Sequence, residues 1–182
     1  MTDKNPAYKI SIPEGLTVSL ERGILKIKGA KGEVQKELVN PYISIIKEGS
    51  DIILKFTGNK FTRTHKRNIN SFRAHINRLL NGVQKGYSYT LKICSGHFPM
   101  SVNINSGVLT VKNFLGEKVP RKVKLVKGVD VKLEGDLIKV NGIDKELVGR
   151  VSSLIEQSTI ITNRDRRIFQ DGIYLIAKED GN

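Results

Sequence analysis

The chain has 182 residues, with 31 Lys and Arg against 18 Asp and Glu and a net charge of +13. That length fits one large domain or two small ones, and an excess of cations attracts polyanions, nucleic acid foremost. A single cysteine, Cys94, excludes an intramolecular disulfide and fits a reducing compartment; the longest run without Lys, Arg, Asp or Glu, residues 93–111, is interrupted by Gly96, Pro99 and Gly107 and does not read as a membrane span.

Residues 1–8 contain no apolar stretch, so no signal peptide is expected and a cytoplasmic protein is the default. Ile10 and Ile12, then Leu16, Val18 and Leu20, alternate with polar neighbours; Gly23 punctuates, and residues 24–28 resume as a strand, a hairpin pattern. Gly29 to Gly32 reads as a turn, residues 34–46 as strand broken by Pro41, and residues 51–57 as a further strand closed by Gly58. From Lys60 the period changes: Ile69, Phe72, Ile76, Leu79 and Leu80 fall three or four apart, as on one helical face, with Gly82 as the expected cap. Tyr87, Tyr89, Leu91 and Ile93 alternate again and predict a strand that could close a first module or open a second. Strands follow at 102–104, 108–111, 123–126, 129–133 and 137–140, then a helix whose stripe is Leu147, Val148, Val151, Leu154 and Ile155, with Asp144 as N-cap.

The order of elements repeats. Gly23, Leu25, Lys28, Gly32, Glu33, Lys55 and Gly58 recur 84 residues later as Gly107, Leu109, Lys112, Gly116, Glu117, Lys139 and Gly142. The fold expected is α+β: two tandem copies of a small antiparallel sheet with one packed helix, domains 1–84 and 85–182. Residues 1–82 carry 15 basic and 7 acidic residues, and residues 83–182 carry 16 and 11, so the charge is spread over both copies.

Three cationic segments are candidates for nucleic-acid contact. In residues 112–127, Lys112, Lys118, Arg121, Lys122, Lys124 and Lys127 face one anion, Glu117, and Gly116 and Pro120 indicate a projecting loop that could follow a phosphate backbone. Arg164, Arg166 and Arg167 can grip phosphates bidentately, with Phe169 and Tyr174 expected to anchor that segment in the core. Lys60, Arg63, Lys66 and Arg67 lie on the first helix or its lead-in.

Chemistry is harder to find. Cys94 and His97 lie three apart, but no oriented third group accompanies them, and a polar turn beside a small buried thiol is the simpler reading. His65, His75, His97 and Cys94 lack metal-ligand spacing, and neither glycine turn has the order of Gly, Lys and Ser/Thr that a nucleotide loop needs. No catalytic residue, cofactor or metal is assigned. Aromatics make up only 6% of the chain, which argues for structured RNA read by backbone and shape over single strands stacked on rings.

These residues resemble a known family. Gln157, Ile161, Arg164, Arg167, Phe169, Asp171, Gly172, Ile173, Tyr174, Leu175 and Lys178 fit the C-terminal signature of the universal ribosomal protein L-six family, in its archaeal and eukaryotic form. Ile12-Pro13-Glu14-Gly15, Arg73-Ala74-His75-Ile76, His97-Phe98-Pro99 and Asn113-Phe114-Leu115-Gly116-Glu117-Lys118 are similar to further stretches of it. The resemblance covers nearly the whole chain. It implies a structural, non-enzymatic constituent of the large ribosomal subunit that binds ribosomal RNA near the sarcin–ricin loop and the base of the factor-recruiting stalk. Its partners would be that RNA, neighbouring ribosomal proteins and nearby translation factors, with no membrane. Charge alone leaves open a free-standing architectural protein on structured nucleic acid.

Overall fold

The computed structural model describes residues 7–21 and 23–180; residues 1–6, on which the signal-peptide expectation partly rests, lie outside them. The chain forms two compact units, one ending at Lys85 and the next beginning at Gly86.

The first unit runs β1 (Ala7–Ser11), β2 (Thr17–Glu21), β3 (Ile24–Gly29), β4 (Gly32–Glu37), β5 (Ile43–Glu48), β6 (Asp51–Phe56) and α1 (Arg63–Gln84). Its strands make two antiparallel sheets, ordered β1-β6-β5 and β2-β3-β4. Period-two alternation buries Leu25 and Ile27 of β3, and Ile52, Leu54 and Phe56 of β6. Ile69, Ile76, Leu80 and Val83 form the buried stripe of α1, which packs on β3, β4 and β6. Each such side chain removed from water stabilises by about 1.5–3 kcal/mol. The helix starts at a capping box closed by an imidazole: His65 N donates to Thr62 Oγ1, and Thr62 N donates to His65 Nδ1 at 3.3 Å.

The helix does not stop at Gly82. It continues to Gln84, and the left-handed residue that follows is Gly86, φ 82°. Val83 accounts for the two extra residues: its side chain is fully buried and its carbonyl accepts from Lys31 N at 3.1 Å.

The second unit runs β7 (Tyr87–Cys94), β8 (Ser101–Asn105), β9 (Val108–Lys112), a one-turn 3-10 helix (Phe114–Gly116), β10 (Arg121–Lys124), β11 (Val129–Glu134), β12 (Leu137–Gly142), α2 (Lys145–Ser158) and β13 (Gly172–Glu179). β7 therefore opens the second unit. The sheets are ordered β8-β9-β10 and β11-β12-β7-β13. Val148, Val151 and Ile155 of α2 close a core with Tyr89, Leu91, Ile138, Val140 and Ile173, and Asp144 caps the helix by accepting from Glu146 N at 2.8 Å. The α+β expectation of small antiparallel sheets with one packed helix per copy holds in both units.

The copies differ in register more than one offset allows. β2 and β3 match β8 and β9 at 84 residues. The hairpin β5–β6 instead matches β11–β12 at 86: the pair Ile45–Leu54 corresponds to Val131–Val140, and the turn glycines are Gly49, φ 60°, and Gly135, φ 59°. Lys55 and Gly58 are thus not the counterparts of Lys139 and Gly142. A two-residue slip keeps every side chain on its own face, so a period-two pattern cannot expose it. The extra length enters after β9: two residues join β3 to β4, whereas residues 113–120 join β9 to β10. Gly32 and Glu33 begin a strand, while Gly116 and Glu117 lie at the end of the 3-10 turn.

Candidate nucleic-acid interface

In β9, Leu109 and Val111 are fully buried, so Val108, Thr110 and Lys112 point outward. Register places Lys122 beside Thr110 and Lys124 beside Val108 on one side; Ser101, Asn103 and Asn105 pair with Lys112, Thr110 and Val108 on the other. The outer face of this sheet therefore carries Lys112, Lys122 and Lys124 among hydroxyl and amide side chains, with no carboxylate. None of the three lysines has an ion-pair partner among the described residues. The matching face of β2-β3-β4 is built differently: Lys26 and Lys28 stand among Glu21, Glu33 and Glu37, with Glu21 3.8 Å from Lys26. One face is purely cationic; its counterpart neutralises itself.

Beside the cationic face, three loops of the second unit meet. Asp171, with 2% of its side chain exposed, reaches across to residues 95–97, accepting from Gly96 N and from His97 N at 3.1 Å. Burial pushes its carboxyl up, but the donated N–H groups and the nearby imidazole outweigh that, so its pKa sits below the ordinary aspartate value. Asn113 Nδ2 donates to Pro99 O at 2.9 Å, and the Phe98 ring lies against Gly116, 3.6 Å from where a Cβ would stand. Asn113 (φ 59°), Leu115 (φ 48°) and Asn163 (φ 58°) adopt left-handed backbone in these loops. Such conformations cost about 1–3 kcal/mol each and cluster at functional sites.

The candidate residues separate by role. Arg121 is half-buried and fully engaged: Nε donates to Glu117 Oε2 at 2.8 Å, Nη2 to Glu117 Oε1 at 2.5 Å and Nη1 to Ser158 O at 2.8 Å, while Cζ lies 4.2 Å over the Phe114 ring. It ties the 113–120 loop to the C-terminal end of α2. The hydrogen-bonded guanidinium holds Glu117 below the usual carboxylate range, against a smaller opposing effect of burial. Arg167 pairs with Asp165 at 2.7 Å while its side chain stays 90% exposed. Arg164 lies 5.1 Å over Phe169. Arg166 is exposed at the mouth of a cavity of about 280 Å³ lined by Gln157, Ile160 and Tyr174. Lys118 is exposed on its loop, and Lys127 on the turn after β10.

Lys60, Arg63, Lys66 and Arg67 belong to the first unit and make a separate cluster. All four are exposed, and the 22-residue α1 contains no acidic side chain.

His97, Phe98 and Asp171 carry part of the family resemblance but were not among the residues expected at the interface. His97-Phe98-Pro99 looked like a polar turn, and nothing local connects it to a carboxylate 74 residues away. Tyr174 does not anchor in the core: it is 41% exposed, and its hydroxyl donates to Gln170 O at 3.2 Å. Phe169 is half-buried against the core, its ring 4.9 Å from that of His97. Among the described residues no group of His, Cys, Asp and Glu could hold a metal ion, and no helix is long and apolar enough to cross a membrane.

Residues 98–172, which include the 113–120 loop, the Arg164–Arg167 loop and the cationic strands β9 and β10, match the ribosomal protein L6 family. Nearly the whole chain is similar to proteins called large ribosomal subunit protein uL6. That of Nanoarchaeum equitans is 43% identical over 185 residues, 96% of this chain and 94% of the relative. That of Methanobrevibacter smithii is 39% identical over 171 residues, 94% and 95% of the two chains. That of Methanospirillum hungatei is 36% identical over 171 residues, 94% and 96%.

Proposed function

The chain belongs to the ribosomal protein L6 family, and from that premise we propose that it braces folded ribosomal RNA through the second unit, as a structural, non-enzymatic constituent of the large ribosomal subunit. The observation that carries the reading is the sheet face of Lys112, Lys122 and Lys124, unpaired and free of carboxylates, next to loops that present Lys118, Arg164, Arg166 and Arg167. Lysines set among Ser, Thr and Asn are the side chains that contact phosphate and ribose, and they fix register on an RNA without reading its bases. Lys127 extends the same strip. Arg121 supports it by holding the loop in shape. Lys60, Arg63, Lys66 and Arg67 form a second, smaller contact in the first unit.

By family resemblance the site lies near the sarcin–ricin loop and the base of the factor-recruiting stalk, with ribosomal proteins as neighbours and translation factors close by in the cytoplasmic ribosome. The protein is expected to co-sediment with large subunits and to leave only at high salt. About six phosphate contacts would cost on the order of a thousandfold in affinity between 50 and 200 mM salt. Recovery of the protein only in ribosome-free fractions at low salt contradicts the proposal.

A further inference from the structure

His97 and Phe98 are consecutive, exposed aromatic side chains, and each is held by a different basic loop. His97 packs against Phe169 with ring centroids 4.9 Å apart, while its backbone N–H is fixed by buried Asp171; 42% of its side chain stays open. Phe98 lies on Gly116 and remains 40% exposed. Gly116 has φ 81°, so a side chain there would be strained as well as close to the ring. His97 is thus held by the loop that carries Arg164 and Phe169, and Phe98 by the loop that carries Gly116 and Lys118. A cleft of about 570 Å³ opens beside His97, lined by Cys94, Ser95, His97, Ile168, Gln170 and Tyr174. The exposed carboxylates of the two basic loops, Glu117 and Asp165, are each neutralised by an arginine of the same loop.

Resting on the reading above, we infer that this aromatic pair is a stacking site for one unpaired, extruded nucleobase of the bound RNA. Paired bases hide their faces inside a helix, whereas an extruded base offers a π-face to a ring and its phosphates to flanking cations. Open rings, fixed in place and flanked by cations on separate loops, match that chemistry. The chain is poor in aromatics, so one such contact would anchor register on an RNA otherwise held by its backbone.

The experiment uses the full chain and two RNA hairpins with the same stem, one fully paired and one carrying a single bulged adenosine. The wild-type protein is expected to prefer the bulged hairpin by about 5- to 150-fold. His97→Ala and Phe98→Ala should each reduce that preference at least about fivefold while leaving affinity for the paired hairpin unchanged, and His97→Tyr should keep it. Should an alanine variant fail to fold, the wild-type preference and the His97→Tyr variant decide. Salt-dependent binding of both hairpins without preference overturns the stacking site and leaves the proposed function standing. Absence of salt-dependent binding to either hairpin overturns the proposed function itself. Displacement of the bulged RNA by an acidic peptide, with the alanine variants resisting it, would assign the rings to a protein partner and contradict the inference.

Discussion

Two side chains hold the candidate binding loops in shape, and each can be tested alone. Asp171 is buried and accepts N–H groups from the 95–97 segment, so Asp171→Ala leaves those donors without their acceptor. The expected loss is about 1–3 kcal/mol in denaturant unfolding. Because the folded carboxyl titrates below its unfolded value near 3.8, its contribution is fully present above that pH and is lost as pH falls through the lower, folded value. The wild-type protein should therefore lose stability on acidification in a step that Asp171→Asn lacks. Arg121→Lys keeps the charge but cannot reproduce the fork to Glu117, the bond to Ser158 O and the stack on Phe114. It should cost about 1–2 kcal/mol, with amide exchange in residues 113–120 speeding up; unchanged exchange would show that the clamp does not order the loop. Neither role was legible in the sequence. Arg121 read as one more cation in a basic run, and the partner of Asp171 lies 75 residues away at Gly96.

At the level of elements, most of the fold could be read from periodicity, because alternating strands and a three-to-four stripe each bury one face. What periodicity could not show was the two-residue slip between the copies, or the two residues of α1 past Gly82. Both were settled by tertiary contact: the β11–β12 turn at Gly135 and the burial of Val83. The first turn of α1 holds Arg63 and Lys66 at the positive end of the helix dipole, with no acidic residue to offset them. Arg63→Glu should stabilise the first unit by about 0.3–1 kcal/mol and also weaken RNA affinity. A variant that gains stability with unchanged affinity would remove the first-unit cluster from the interface. The exposure of Arg63 lets the dipole effect be read without repacking the core.

For the molecule as a whole, duplication supplied one sheet-and-helix fold twice, and the charge placed on that fold diverged. The total of +13 hides this, since both halves are basic. Only register shows that one copy spreads its sheet lysines among glutamates and the other leaves them open. Matched charge reversals on the two sheets test this divergence of faces directly. The double reversals Lys122→Glu/Lys124→Glu and Lys26→Glu/Lys28→Glu change net charge equally, on equivalent sheets of the two copies. Incorporation of each variant into large subunits, measured by co-sedimentation across a salt series, is the deciding measurement. The second-copy reversal should lose incorporation and lower the slope of log affinity against log salt by about 2, whereas the first-copy reversal should match wild type. Equal losses from both, or none from the second-copy variant, would contradict the account.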